Sequence, residues 1–192
     1  MGLLHATVVA ALLHLVCAVT LAVPRRSKAM IRLTSSACIE APVALVWARL
    51  SALEDIQLWT DAIRHSYISS ACHTGVGAER TCELHGNHTL TEHVVAWEEG
   101  RSFTYESTTA PLMKLARNTW SVTAVGERRT LVRSEAEVTF KGGLFGRLLE
   151  LTLGRVMMRL LPNPFAKFKF WVENGRPFVG SARRLPSVAP GC

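Results

Sequence analysis

Charge is missing from the start of the chain: residues 2–23 contain no Asp, Glu, Lys or Arg, and their polar side chains are limited to His5, Thr7, His14 and Thr20. A helix of that length can cross a bilayer. Three readings stay open. The run resembles a secretory signal in which Thr20-Leu21-Ala22 offers small residues at the positions a signal peptidase reads, although it lacks a basic n-region and is longer than a usual signal core. As a retained anchor it is followed by Arg25, Arg26 and Lys28, which would hold the domain on the cytoplasmic side. As an over-extended start it gives way to Met30, which then opens the domain. The chain is accordingly expected to be secreted or membrane-associated through residues 1–23, or cytoplasmic if Met30 is the true start. Myristoylation is not expected, since Gly2 is present but Ala6 stands where Ser or Thr is wanted.

Cysteine is scarce and unpatterned. Cys17, Cys38, Cys72, Cys82 and Cys192 make an odd count of five without repeated spacing, which argues against a disulfide framework. Small apolar packing is the expectation for those in the domain. A basic stripe with interleaved aromatics is also lacking: the net charge is +7, but Arg25, Arg26 and Lys28 lie outside the domain and the other cations are scattered among acids. No nucleic-acid partner is expected. No Ser/His/Asp set is visible, and Gly75-x-Gly77 is too short to cradle phosphate.

Histidines crowd one stretch as His73, His85, His88 and His93, beside Cys72 and Cys82. The run Cys82-x2-His85-x2-His88 has ligands that zinc accepts. However, Gly86-Asn87 reads as a two-residue hairpin turn, which leaves His85 and His88 as neighbours on its rim. No metal and no cofactor are expected.

What is present is one domain. With 192 residues, 48% hydrophobic and 19% charged, the composition fits a single soluble-type core with appendages. A strand over 31–40 ends at Pro42, where a helix begins with Val43, Val46, Trp47, Leu50 and Leu53 at i, i+3, i+4 spacing. A second short helix is expected over 54–62. From there to Lys141 the apolar period is two, interrupted by Gly75-Val76-Gly77, Gly86-Asn87, Glu99-Gly100 and Gly126, which predicts a meander of about six strands. Val132, Ser134, Ala136, Val138 and Phe140 form the inward face of its last strand. Trp120, Val122 and Ala124 do so on the strand before, and Phe103 and Tyr105 on the one before that. A helical period returns over 144–174, broken at Pro162 and Pro164. The expected divisions are an apolar segment with a basic linker over 1–29, an α+β domain over 30–178 and a disordered tail over 179–192. Small inward residues such as Ser134, Ala136 and Ala124 leave volume beneath the sheet unless the last helix fills it.

These elements resemble the polyketide cyclase/dehydrase and lipid-transport family of the START-like, helix-grip (SRPBCC) superfamily. The likeness rests on Ile39-Glu40-Ala41-Pro42 leading into Val46-Trp47, on Leu58-Trp59, and on Gly75-Val76-Gly77-Ala78-Glu79-Arg80. It extends to Trp97-Glu98-Glu99-Gly100-Arg101 and Lys141-Gly142-Gly143. It implies a curved antiparallel sheet wrapped around a long C-terminal helix. It also implies a cavity that takes a lipid, polyketide, sterol or similar apolar molecule, in a carrier or sensor or in a cyclase/dehydratase-like enzyme. A membrane-surface interaction module is the third class, and a shared scaffold does not choose among them.

Trp59, Phe103, Tyr105, Trp120 and Phe140 are the candidate ligand-binding residues, because aromatics supply large apolar walls and Tyr105 adds one orienting hydroxyl. Ordinary core packing is the competing account of each. If the chain is an enzyme, Glu92, His93 and Tyr105, with Arg80 beside them, are the candidates for proton transfer. Glu92 and His93 are adjacent on a strand, so at most one points inward.

Overall fold

A computed structural model describes residues 30–86, 88–109, 113–141 and 165–192. Seven antiparallel strands form its sheet: β1 (Ile31–Ile39), β2 (Ile63–Ile68), β3 (Glu79–Leu84), β4 (Thr89–Glu98), β5 (Ser102–Ser107), β6 (Met113–Gly126) and β7 (Arg129–Phe140). Their order is β1-β7-β6-β5-β4-β3-β2, a meander closed on one side by the first strand. Period-two patterning has this result because each strand presents one apolar face. On β7, Val132, Ser134 and Val138 are buried while Arg133 and Glu135 are exposed.

Between β1 and β2 come α1 (Val43–Leu50), a 3-10 turn (Leu53–Asp55) and the single-turn α2 (Ile56–Trp59). The second helix is shorter than its expected span of 54–62. At Thr60 the backbone is already extended, with φ −118° and ψ 120°, and Asp61 beyond it turns outward to meet Lys167 at 2.9 Å and the Ala182 amide at 2.9 Å. The terminal helix is described as α3 (Phe165–Asn174), which buries Phe165, Phe168, Trp171 and Val172. Gly175 ends it at φ 69°, a left-handed cap that glycine adopts without steric cost. The expected helix over 144–164, with its breaks at Pro162 and Pro164, lies outside the described residues, as do residues 1–29. Among the described residues no helix is long and apolar enough to cross a membrane.

One end of the inner face is sealed by aromatic packing. Trp59 meets Trp120 at 5.5 Å and Phe168 at 5.2 Å between ring centroids, both edge to face, and Phe165 meets Trp120 at 5.5 Å. Beside them Trp47 packs on Trp97 at 5.3 Å and on Phe103 at 6.1 Å. The turn after β4 locks this second cluster. Gly100 at φ 75° lets Arg101 N return to the Glu98 carbonyl. The Glu99 carboxylate then receives the indole N–H of Trp47 at 2.7 Å and of Trp97 at 2.8 Å. Trp97-Glu98-Glu99-Gly100-Arg101 is therefore a latch joining α1 to the sheet. Ala124 departs from expectation: it keeps its register opposite Thr130 but is exposed near the end of β6, just before the irregularity between Ala124 and Gly126.

The tail expected to be disordered is packed against the domain. Ala182 is buried within a 3-10 turn, Ala182–Arg184, and Phe178 meets Phe170 at 5.2 Å. Cys192 is bonded to Cys38 on β1. The absence of a cysteine framework was thus misleading for this pair. The partners are 154 residues apart, so local spacing carries no trace of a bridge that only the folded chain brings together. Among the described cysteines, Cys82 is buried and free, as small-residue packing predicts, and Cys72 is free and exposed.

The Trp97 and Trp47 hydrogen bonds hold the Glu99 carboxyl below the usual glutamate range. A lowered folded-state pKa gives stability that is complete above the unfolded value and lost as pH falls through the folded one. Glu99→Gln is expected to lower the urea midpoint at neutral pH with little change in slope. The gap from wild type should close in acid; a gap independent of pH would show that the carboxylate charge contributes nothing to the latch.

Candidate functional site

The inner face away from the aromatic seal carries a ribbon of polar side chains. Its frame is a continuous cross-strand row in which Leu33 faces Ala136, Ala136 faces Asn118, Asn118 faces Tyr105 and Tyr105 faces Val94. Ser134 Oγ donates to Asn118 Oδ1 at 2.9 Å, and Asn118 Nδ2 donates to the Tyr105 hydroxyl at 3.1 Å. The Arg80 guanidinium lies 5.3 Å from the centre of the Tyr105 ring. Its Nε donates to Glu92 Oε2 at 2.8 Å, Nη2 donates to the same oxygen, and Nη1 donates to the Leu53 carbonyl. Cys82 Sγ lies 3.9 Å from that carboxylate and 3.7 Å from Ser66 Oγ, which ends the ribbon on β2.

Local sequence explains the placement. Gly75 and Gly77 take φ 83° and 89°, so the chain can turn tightly into β3. Gly77 N and Val94 N then pair with the carbonyls of Val94 and Ala78. That register sets Arg80 opposite Glu92. On alternating positions Arg80 and Cys82 point inward while Glu79 and Thr81 stand on the wetter face.

Arg80 and Glu92 are 4% and 6% exposed. An isolated buried charge is strongly disfavoured, and each ion here is tolerated because the other lies against it. Burial lowers the affinity of Arg80 for its proton, but the Glu92 charge outweighs that and raises its pKa beyond the ordinary arginine value. Desolvation pushes the Tyr105 phenol up to about 12, with the Glu92 charge adding to the shift. Burial likewise raises the Cys82 thiol. At neutral pH Tyr105 is consequently a neutral hydroxyl and Cys82 an unreactive thiol, so the ribbon orients polar atoms without presenting a nucleophile.

The candidate residues fall into three groups. Glu92 and Tyr105 lie together on the inner face, whereas His93 points outward, more than half exposed, and pairs with Glu79 at 3.0 Å. Trp59, Trp120 and Phe103 are all within the aromatic seal, at 6%, 5% and 3% exposure. Phe140 is half-buried near the far end of β7 and has no ring contact among the described residues. Asn118 and Ser134 complete the ribbon. Asn118 was not singled out from sequence, although a polar residue in phase with Trp120 and Val122 is a legible signal. His85 and His88 flank the β3–β4 turn, both exposed, with Leu84 N bonded to the His88 carbonyl. Among the described residues no three metal-ligating side chains converge.

Exposure divides the inner face. Ala37 and Val132 are fully buried and Val122 nearly so under the helices, whereas Leu33, Ala116, Asn118, Ala136 and Tyr105 remain half-buried. The incompletely covered area contains Asn118 and Tyr105 of the ribbon, whereas Ser134, Arg80, Glu92, Cys82 and Ser66 are buried.

A family model described as polyketide cyclase/dehydrase and lipid transport matches residues 30–168. No curated protein matches the sequence. Among solved structures, the chain is similar to the Zhui aromatase/cyclase from Streptomyces sp. R1128, with a TM-score of 0.59 and 15% identity over 81% of this chain and 94% of that one. It is similar to the di-domain ARO/CYC StfQ from the steffimycin biosynthetic pathway, with a TM-score of 0.60 and 11% identity over 77% of this chain and 50% of that one. A START superfamily protein from Mycobacterium smegmatis gives a TM-score of 0.51 and 14% identity, over 67% and 93% of the two chains. These likenesses establish a START-like, helix-grip α+β fold.

Removing one partner of the buried ion pair strands the other. Arg80→Ala is expected to cost roughly 3–5 kcal/mol in urea denaturation, whereas the double change Arg80→Met with Glu92→Leu should cost much less than the two single changes added together. Additive costs would contradict mutual neutralisation.

Proposed function

Because the chain belongs to the polyketide cyclase/dehydrase and lipid-transport family, we propose that it binds a hydrophobic small molecule against the inner face of the sheet, as a carrier or sensor. The observation that carries this reading is the partial exposure of Leu33, Ala116, Asn118, Tyr105 and Ala136, residues of the inner face that lie beyond the aromatic seal. Apolar walls with a few convergent polar groups are the usual makeup of a small-molecule site. Leu33, Ala116 and Ala136 offer contact to an apolar skeleton, each buried methylene contributing about 0.8 kcal/mol. Tyr105 and Asn118 offer hydrogen bonds to an oxygen on that skeleton.

The chemistry of the ribbon supports binding more than turnover. A cyclase or dehydratase needs a group that takes up a proton from an enolisable carbonyl compound. Here Glu92 is committed through Oε2 to two donors on Arg80, and the Tyr105 phenol keeps its proton up to about pH 12. Tyr105 can donate a hydrogen bond to a carbonyl oxygen, which is the one feature an enzymatic reading would use.

Native mass spectrometry of the full chain, with organic extraction of whatever is released, tests the proposal. A retained apolar molecule is expected in the wild-type protein, and Ala136→Phe, which fills the half-covered area, should abolish it. Tyr105→Phe should weaken rebinding of the extracted molecule about fivefold, the worth of roughly 1 kcal/mol for one hydrogen bond. A molecule that binds Ala136→Phe as tightly as wild type would contradict a site on this face.

A further inference from the structure

A concavity lies outside the sheet, between α3 and the chain that follows it. Its volume is about 420 Å³, within the range of small-molecule sites. Ala166 and Phe170 of α3 form one wall, and Leu185, Pro186, Val188 and Ala189 form the other. The second wall is a strap that crosses the protein surface between fixed points. Phe178 packs on Phe170 at 5.2 Å, Ala182 N donates to Asp61 Oδ2 at 2.9 Å, Gly191 N donates to Ser36 Oγ at 3.1 Å, and Cys192 is bonded to Cys38. Pro186 and Pro190 fix φ along the roof and favour an extended strap over collapse into the groove.

The polar groups at the rim indicate what the groove accepts. Lys169 Nζ donates to the Cys38 carbonyl at 2.8 Å and to Glu173 Oε1, and Glu40 accepts from Arg129 at 3.1 Å. The cations are thus matched by carboxylates, so an anionic headgroup finds no excess positive charge. The Glu40 amide and Lys169 Nζ both donate to Glu173 Oε1, which among the described residues leaves Oε2 as an acceptor at the edge of an apolar slot.

We propose that this groove is a binding site for a neutral apolar small molecule carrying a hydrogen-bond donor, and that the Cys38–Cys192 bond is a redox latch on it. Closure joins the two thiols into a disulfide while a disulfide oxidant, such as oxidised glutathione, is reduced to two thiols that carry away both protons. Opening is the reverse thiol–disulfide exchange. Because half the lining belongs to the strap, releasing its Cys192 end dismantles the site. Binding therefore requires the closed form. This inference is independent of the ligand site proposed on the sheet's inner face.

N-phenyl-1-naphthylamine, a neutral apolar dye with one N–H donor, tests the groove in the full-length chain. Oxidised wild type is expected to bind it. Dithiothreitol, Cys192→Ser and Ala189→Trp, which fills the groove with the latch intact, should each weaken binding at least tenfold. In the Ala136→Phe background, where the sheet's inner face is filled, the dye should still bind and the same losses should follow. On reduction the Gly191 amide should lose protection from hydrogen exchange. The proposal is overturned if oxidised wild type does not bind, if affinity is the same in reduced, Cys192→Ser and Ala189→Trp forms, or if Ala136→Phe alone removes binding. Continued protection of Gly191 after reduction would overturn the latch.

Discussion

A guanidinium and a carboxylate buried side by side set the terms for the inner face of the sheet. Arg80 cannot stay inside without Glu92, nor Glu92 without Arg80, and the backbone carbonyl of Leu53 takes one of the remaining donors. The pair thereby ties β3 and β4 to the turn that carries α2. It also holds Tyr105, whose ring lies beneath the guanidinium, and through Tyr105 it reaches Asn118 and Ser134. Each link is an ordinary contact. Their joint effect is a polar line across an otherwise apolar surface, positioned by strands whose register the alternation of side chains enforces.

The described inner face divides into a sealed part and a half-covered part. Trp59, Trp120, Phe165 and Phe168 interlock at one end, with Trp47, Trp97 and Phe103 beside them, and all of these rings except the part-exposed Trp97 are buried. Beyond them the inward positions are Leu33, Ala116, Asn118 and Ala136, too small to complete a close-packed interior by themselves. Aromatic residues that looked like ligand walls in the sequence thus belong mainly to the seal, and the area available to a ligand is marked by small and polar side chains.

Period-two patterning made the strands legible, since every strand has one face that must avoid water. The inward phase of β7 and the opposite facings of Glu92 and His93 follow from the same alternation. Partnership across strands was harder to read. Arg80 and Glu92 meet because the pairing of Leu84 with His88 and the Gly75/Gly77 loop set the register, whereas their linear separation gives no sign of an ion pair. Glu99 and the Cys38–Cys192 bond were less visible still. The first matters through two indoles, one of them 52 residues away, and the second through a partner 154 residues away. Long-range contacts of this kind have no local periodicity to reveal them.

Family, fold and ribbon support the proposal that an apolar molecule sits on the half-covered part of the inner face. Amide chemical-shift mapping with the molecule extracted from the protein itself tests that claim most directly. The account predicts that the largest shifts fall on Leu33, Ala116, Asn118 and Ala136, with Tyr105 and its neighbours following and the aromatic seal nearly silent. Shifts confined to the outer face, or absent from these strands, would contradict it.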